Sequence, residues 1–197
     1  GVGISLSVDG DLTMDSGAVI AANDDVGNQD ADASPITLDI DGKLEMSGAS
    51  GIFAENRRRG GDGGDIEITS SDDIHMKSGS NISSTRRSSG GSGNGGEITI
   101  VTEGDFIMEP DTTIAAANIA GKSGDISIEA DGTISIDGLM SSGPSTRVLS
   151  SKLTEDIFGG GGTLQRGGAI TIISNSLDDP AITISEDAII GSQGEDP

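Results

Sequence analysis

Short stretches that alternate hydrophobic and polar residues recur along the chain. Each begins with an Ile-x-Ile or Ile-x-Leu triplet, and the starting isoleucines are 32, 30, 32, 28 and 44 residues apart. Alternation with a period of two is typical of a half-buried β-strand. The triplets begin at Ile4, Ile36, Ile66, Ile98, Ile126 and Ile170.

Two further strands are predicted in each repeat, starting about eight and sixteen residues after the triplet. In the fifth repeat the third strand is assigned to residues 140–142, two residues early. In the sixth, an insertion at residues 175–179 delays the second strand by four residues. In the first four repeats, the second strand ends on a methionine, and a small residue ends the third. These residues are Met14, Met46, Met76 and Met108, and Ala22, Ala54, Ser84 and Ala116.

Three short strands with nearly fixed internal spacing specify one coil of a solenoid. Successive coils would stack by parallel pairing about 4.8 Å apart, and parallel crossovers are right-handed. The sequence therefore predicts an all-β fold, a right-handed parallel β-helix of about six coils with three strands each. Residues 1–197 would form one such domain, or a fragment of a longer β-helix. Residues 143–168 would be a long loop insertion.

Composition narrows the classes of partner. The formal charge is −22, which opposes binding to nucleic acid and to anionic membranes. The chain has no cysteine, so disulfides and cysteine-ligated metals are excluded. No apolar run approaches the roughly 18 residues of a membrane span, so no membrane insertion is expected.

The turn between the first and second strands is acidic in most repeats. If coils stack in register, these carboxylates form a column with neighbours about 5 Å apart, and like charges at that distance repel. Calcium, which favours carboxylate oxygens, would relieve the repulsion. The alternative is a solvated turn in which Asp-Gly supplies the backbone geometry. The candidate calcium ligands are Asp9, Asp11, Asp41, Asp73, Glu103, Asp105 and Asp131.

Basic residues concentrate in the loops that follow the third strands. Two groups fall in consecutive loops and would lie side by side on stacked coils. They could dock an anionic glycan or an acidic neighbouring chain, or they could simply keep the loops soluble. The candidate docking residues are Arg57, Arg58, Arg59, Arg86 and Arg87.

Several repeats resemble those of filamentous haemagglutinin-like exoproteins, which are large bacterial surface proteins exported by two-partner secretion. The similarity lies in Gly-Gly-Asp-Ile-Glu-Ile (63–68), Gly-Gly-Glu-Ile-Thr-Ile (95–100) and Ser-Gly-Asp-Ile-Ser-Ile (123–128). It implies the shaft of an adhesive or structural protein, outside the bacterium or on its outer surface. The Asn-Pro-Asn motifs of that family's secretion domain are absent, because no Asn-Pro occurs in the chain.

Two other functions compete with an adhesive shaft. Open solenoid ends would expose unpaired strands, so copies of the chain could stack end to end as a filament. Parallel β-helices also host polysaccharide-active enzymes, but these usually need aromatic platforms and convergent acids. The chain has no Trp or Tyr, and its one histidine, His75, is expected to face solvent. We therefore expect no enzymatic activity.

Overall fold

The computed structural model is all-β and contains three parallel sheets. It describes residues 2–24, 31–57, 60–87, 93–118, 121–137, 147–151, 168–178, 180–185 and 188–193. Each sheet takes one strand from every repeat, which confirms the β-helix with three strands per coil. Six strands lie in each sheet, and the four inner coils have a neighbour on both sides. None of the described residues forms a helix that could cross a membrane.

The eighteen strands are numbered in chain order. Sheet A contains β1 (Ile4–Val8), β4 (Ile36–Ile40), β7 (Ile66–Ser70), β10 (Ile98–Thr102), β13 (Ile126–Ala130) and β16 (Ile170–Ser174). Sheet B contains β2 (Leu12–Met14), β5 (Leu44–Met46), β8 (Ile74–Met76), β11 (Phe106–Met108), β14 (Ile134–Asp137) and β17 (Ile182–Ser185). Sheet C contains β3 (Val19–Ala21), β6 (Gly51–Phe53), β9 (Asn81–Ser83), β12 (Thr113–Ala115), β15 (Arg147–Ser151) and β18 (Ile189–Gln193).

The register follows the hydrophobic alternation of the sequence. Ile36 pairs with Ile66, and Met46 pairs with Met76, so equivalent residues stack directly. A shift of one residue would turn the buried hydrophobic side chains toward solvent, and the free-energy cost of exposing them fixes the register. The four methionines are at most 3% exposed, and Ala54, Ser84 and Ala116 are buried. The predicted columns of methionine and of small residues are therefore confirmed.

The fifth coil differs from the prediction in its third strand. Residues 140–142, to which that strand was assigned, lie outside the described residues. The strand that pairs with β12 is β15, Arg147–Ser151, inside the segment predicted as a loop insertion. Its Val148 is fully buried and stacks between Ile114 and Ile190. Because Val148 continues this apolar column with a β-branched residue, the segment is well suited to form the third strand.

Glycines line the corner that leads into sheet A, because adjacent coils approach there backbone to backbone. A Cβ at Gly124 would lie 1.9 Å from the carbonyl oxygen of Gly96. A Cβ at Gly96 would in turn lie 2.5 Å from the carbonyl oxygen of Gly64. The glycines two residues before β7, β10, β13 and β16, which are Gly64, Gly96, Gly124 and Gly168, are therefore a steric requirement of close coil stacking, whereas Ser34 takes that position before β4.

Candidate functional site

The acidic turns between sheets A and B hold adjacent coils together. Asp11 Oδ1 accepts a hydrogen bond from the main-chain N–H of Lys43 at 2.9 Å. Asp73 Oδ1 accepts from the N–H of Asp105 at 2.9 Å, and Asp105 Oδ1 accepts from the N–H of Thr133 at 2.7 Å. Each of these carboxylates therefore satisfies a backbone donor of the next coil, a role that stabilises the stack without a metal.

The remaining candidate calcium ligands occupy the same turns. Asp41 accepts from the hydroxyl of Ser71, and Asp131 accepts from the side-chain amide of Asn175. Asp9 and Glu103 are exposed. Among the described residues, no group of three or more acidic, His or Cys side chains is arranged to hold a metal ion. Calcium binding at these turns stays a prediction.

Asp73 also contacts a side-chain cation, the ammonium group of Lys43 on the adjacent coil. The N–H of Asp105 holds the pKa of Asp73 below its ordinary value, and Lys43 adds to the effect through a contact of 3.0 Å. The hydrogen bond to the Asp73 carboxylate in turn raises the pKa of Lys43. Because the ionised form of Asp73 is favoured in the folded chain, its charge contributes to stability at neutral pH.

We expect Asp73→Asn to weaken the acid dependence of stability. The pKa of Asp73 is lower when folded, so its contribution is complete above the unfolded value of about 3.9 and is lost as pH falls through the folded value. Urea unfolding at several pH values below about 5 measures the slope. Lys43→Met should keep most of the slope, because the main-chain donor remains. A wild-type slope in Asp73→Asn would contradict this role for Asp73.

A second polar site lies on the outer side of sheet C and is centred on Glu55. The Glu55 side chain is fully buried and lies two residues after β6, an inner strand of sheet C. Its Oε2 contacts Nη2 of Arg57 at 3.1 Å, and its Oε1 contacts Nη2 of Arg87 at 2.8 Å. The hydroxyl of Ser83 donates to Oε1 at 2.9 Å and lies 2.8 Å from the hydroxyl of Thr85. We call these five residues the Glu55 cluster.

The Glu55 cluster brings together two of the predicted docking residues. The side chains of Arg57 and Arg87 are 47% and 37% exposed, so both are partly accessible to solvent. One buried carboxylate fixes two cations from adjacent coils, which leaves a local formal charge of +1 on a strongly acidic chain. Two guanidinium groups held in this way can donate paired N–H hydrogen bonds to a carboxylate or sulfate group.

Arg86 differs from its predicted position, because its side chain is fully buried rather than displayed on a loop. It lies in an inward column of bridged residues with Asp24, Asn56 and Asn118. Burial lowers the pKa of Arg86, and Asp62 opposes that effect. Arg86 is therefore placed inside the corner and not on the docking surface. The other two candidates, Arg58 and Arg59, lie outside the described residues.

Sequence reasoning missed Glu55 as the anchor of the arginine pair. The available signal was an acid two residues before the arginine run at 57–59, one coil away from Arg87. Register then places Phe53 beside Ser83, which brings Glu55 within reach of both arginines. The same reasoning also missed the column of bridged residues that contains Asn56. Asn56 closes the loop that follows it, because its Nδ2 donates a hydrogen bond to the carbonyl oxygen of Gly60 at 3.0 Å.

A groove of about 500 Å³ opens at the corner before sheet A. Its acidic lining residues are Asp32, Asp62 and Asp65. Asp32 accepts from the N–H of Asp62, and Asp62 accepts from the N–H of Asn94. Like the carboxylates of the acidic turns, these carboxylates accept hydrogen bonds from main-chain N–H groups of the next coil. Coil stacking therefore explains why they line the groove.

Comparison with known proteins adds no relative. No protein family, no curated protein and no solved structure matches the chain significantly. The similarity to filamentous haemagglutinin-like repeats therefore rests on the repeat residues themselves.

Proposed function

We propose that the chain is a structural and adhesive β-helix segment of the filamentous haemagglutinin-like kind, displayed on the outer surface of a bacterium. The β-solenoid fold is consistent with a repeat structural protein. In-register pairing continues through all three sheets, which favours an elongated element over a pocket-bearing one. The abundance of acidic side chains suits a hydrated surface. The proposal assigns the chain no catalytic activity.

The adhesive part of the proposal is carried by one observation, the fixation of Arg57 and Arg87 on buried Glu55. Holding two guanidiniums in place before binding reduces the side-chain entropy that a ligand must overcome. Carboxylate and sulfate groups accept paired N–H donors in that geometry. The ligand class proposed is an anionic surface glycan, which can follow the flank of sheet C without entering a pocket.

The triple substitution Glu55→Gln, Arg57→Gln and Arg87→Gln tests the proposal. Removing all three charges avoids a buried carboxylate without a partner, so we expect the fold to survive. Affinity for a sulfated glycan such as heparin should fall by at least about tenfold, because charge-assisted hydrogen bonds contribute roughly 1.5–3 kcal/mol each. Isothermal titration calorimetry at low ionic strength measures the change.

Lys77→Gln is the matched control, because it also makes the net charge more negative by one. Lys77 pairs with exposed Glu45 at 2.8 Å on sheet B, away from the Glu55 cluster. The affinity of Lys77→Gln for heparin should stay within about twofold of wild type, because Lys77 does not belong to the Glu55 cluster. Equal losses in both variants, or no binding by the wild-type chain, would show that the Glu55 cluster is not a glycan site.

A further inference from the structure

An aromatic side chain lies on the outer side of sheet C, on the same strand path as the Glu55 cluster. Phe53 is half-buried, and its chain neighbours Ile52 and Ala54 are fully buried in the core. Because side chains alternate across a strand, Phe53 points outward. Glu55 and Arg57 follow at intervals of two residues, so the aromatic ring and the anchored arginine succeed one another along one coil.

The ring of Phe53 lies along the sheet and does not stand away from it. A Cβ at Gly51 would overlap Cζ and Cε2 of Phe53, so the far end of the ring covers Gly51. The adjacent strands carry Val19 and Asn81 at the position of Gly51. Of the six strands in sheet C, β6 alone combines a glycine with an aromatic residue two positions later. The glycine therefore makes room for a flat ring, which we call the Phe53 platform.

The Phe53 platform and the Glu55 cluster form one continuous surface. Phe53 pairs with Ser83, and the Ser83 hydroxyl donates to Oε1 of Glu55 at 2.9 Å. The ring extends from the level of Phe53 to that of Gly51, which places it roughly 7–13 Å from Glu55 at the usual rise of a strand. A ligand that contacts both the ring and the guanidinium groups must therefore be longer than one sugar ring.

We propose that this surface binds a chain of hexuronic acids. One sugar ring stacks on Phe53, and the carboxylate of another sugar in the same chain binds between Arg57 and Arg87. The inference rests on the proposed function, because it names the class of glycan for the same site. An apolar surface beside a few fixed polar groups is the usual make-up of a site for a small ligand.

A uronic acid suits both parts of the surface better than a sulfated sugar. Its carboxylate projects from the edge of the sugar ring, so the C–H groups on one face are left to pack against the aromatic ring. Sulfate groups add charge along the glycan, and the formal charge of −22 on the protein repels that charge. Arg57 and Arg87 share one buried carboxylate, so their local excess of one positive charge matches a single acid group.

Isothermal titration calorimetry with an oligogalacturonate tests the inference, with a chelator present to exclude calcium. The wild-type chain should bind this oligosaccharide. The fully methyl-esterified oligosaccharide lacks the charge and should bind at least about tenfold more weakly, because charge-assisted hydrogen bonds are lost. Galacturonic acid itself should also bind at least about tenfold more weakly, because one sugar cannot reach both the ring and the arginines.

Phe53→Leu isolates the contribution of the aromatic ring. Leucine still covers Gly51 with apolar atoms, so circular dichroism should match the wild type. Affinity for the oligogalacturonate should fall about three- to tenfold, which is the usual worth of aromatic stacking beyond buried area. Phe53→Tyr keeps the flat ring and should stay within about twofold of wild type. Ile107→Val is the control, because it trims a half-buried outward side chain on sheet B and should leave the affinity unchanged.

The outcomes separate this inference from the proposed function. Wild-type affinity in Phe53→Leu, with binding lost in the triple variant of Glu55, Arg57 and Arg87, would overturn the Phe53 platform and leave the anionic-glycan site intact. Heparin binding without oligogalacturonate binding would overturn the choice of uronic acid alone. Equal affinity for polyglutamate would show a site for acidic peptides and overturn the inference. Failure of the wild-type chain to bind either glycan would overturn both proposals.

Discussion

Met76→Asp should unfold the β-helix. Met76 is fully buried and stacks between Met46 and Met108 at the centre of sheet B. The substitution removes about 1.5–3 kcal/mol of side-chain burial. It also buries a carboxylate without a partner, at a further cost of several kcal/mol. The total approaches the 5–15 kcal/mol by which domains are typically stable. Circular dichroism and urea unfolding measure the loss.

Two controls separate burial from the substitution itself. Met76→Leu keeps the volume nearly constant and should cost less than about 1.5 kcal/mol. Ser135→Asp introduces the same charge in the same sheet, but at an outward position paired with Ile107 and Thr183. Its free energy of unfolding should stay within about 1 kcal/mol of wild type. Cooperative, wild-type unfolding of Met76→Asp would refute the inward register of sheet B.

The second large effect is expected from a single methyl group at Gly124. In Gly124→Ala the new Cβ would lie 1.9 Å from the carbonyl oxygen and 2.6 Å from the carbonyl carbon of Gly96. Backbone atoms of the adjacent coil cannot yield as a flexible side chain can, so the coils must separate. We expect a loss of about 3 kcal/mol or more, at the upper end of overpacking costs. Thermal and urea unfolding give the value.

Gly17→Ala is the control for this steric effect. Gly17 has a φ of +81°, and a Cβ there would meet nothing within 4 Å. The expected cost is therefore about 1–2 kcal/mol from the left-handed backbone alone. If Gly124→Ala were no more destabilised than Gly17→Ala, the close backbone approach at the corner would be incorrect.

The alternation of apolar residues was sufficient to predict the fold and most of its register. A parallel coil repeats the same interior position, so the methionines and isoleucines identify the inward columns directly. The third strand of the fifth coil escaped this reasoning because Met140-Ser141-Ser142 resembles Ile82-Ser83-Ser84 in sequence. The preference for β15, with Val148 stacked between two isoleucines, depends on contacts between coils.

The polar residues were harder to place, because alternation stops where the third strand ends. Arg86 was assigned to a surface loop by its charge, yet it stacks in an inward column between Asn56 and Asn118. The acidic turns of adjacent coils lie next to one another, but Lys43 and Thr133 interrupt the predicted column of carboxylates. Their bonding to the N–H groups of the next coil depends on distances that residue type does not specify.

A distance between two spin labels tests the in-register stack most directly. The chain has no cysteine, so Ser5→Cys and Thr171→Cys would place labels only on exposed positions of β1 and β16. These positions lie five pairing steps apart in sheet A, which corresponds to about 24 Å at the usual strand spacing. Double electron–electron resonance should give a narrow distribution near this value, allowing several ångströms for the labels. A broad distribution, or one centred well beyond about 40 Å, would contradict the continuous β-helix.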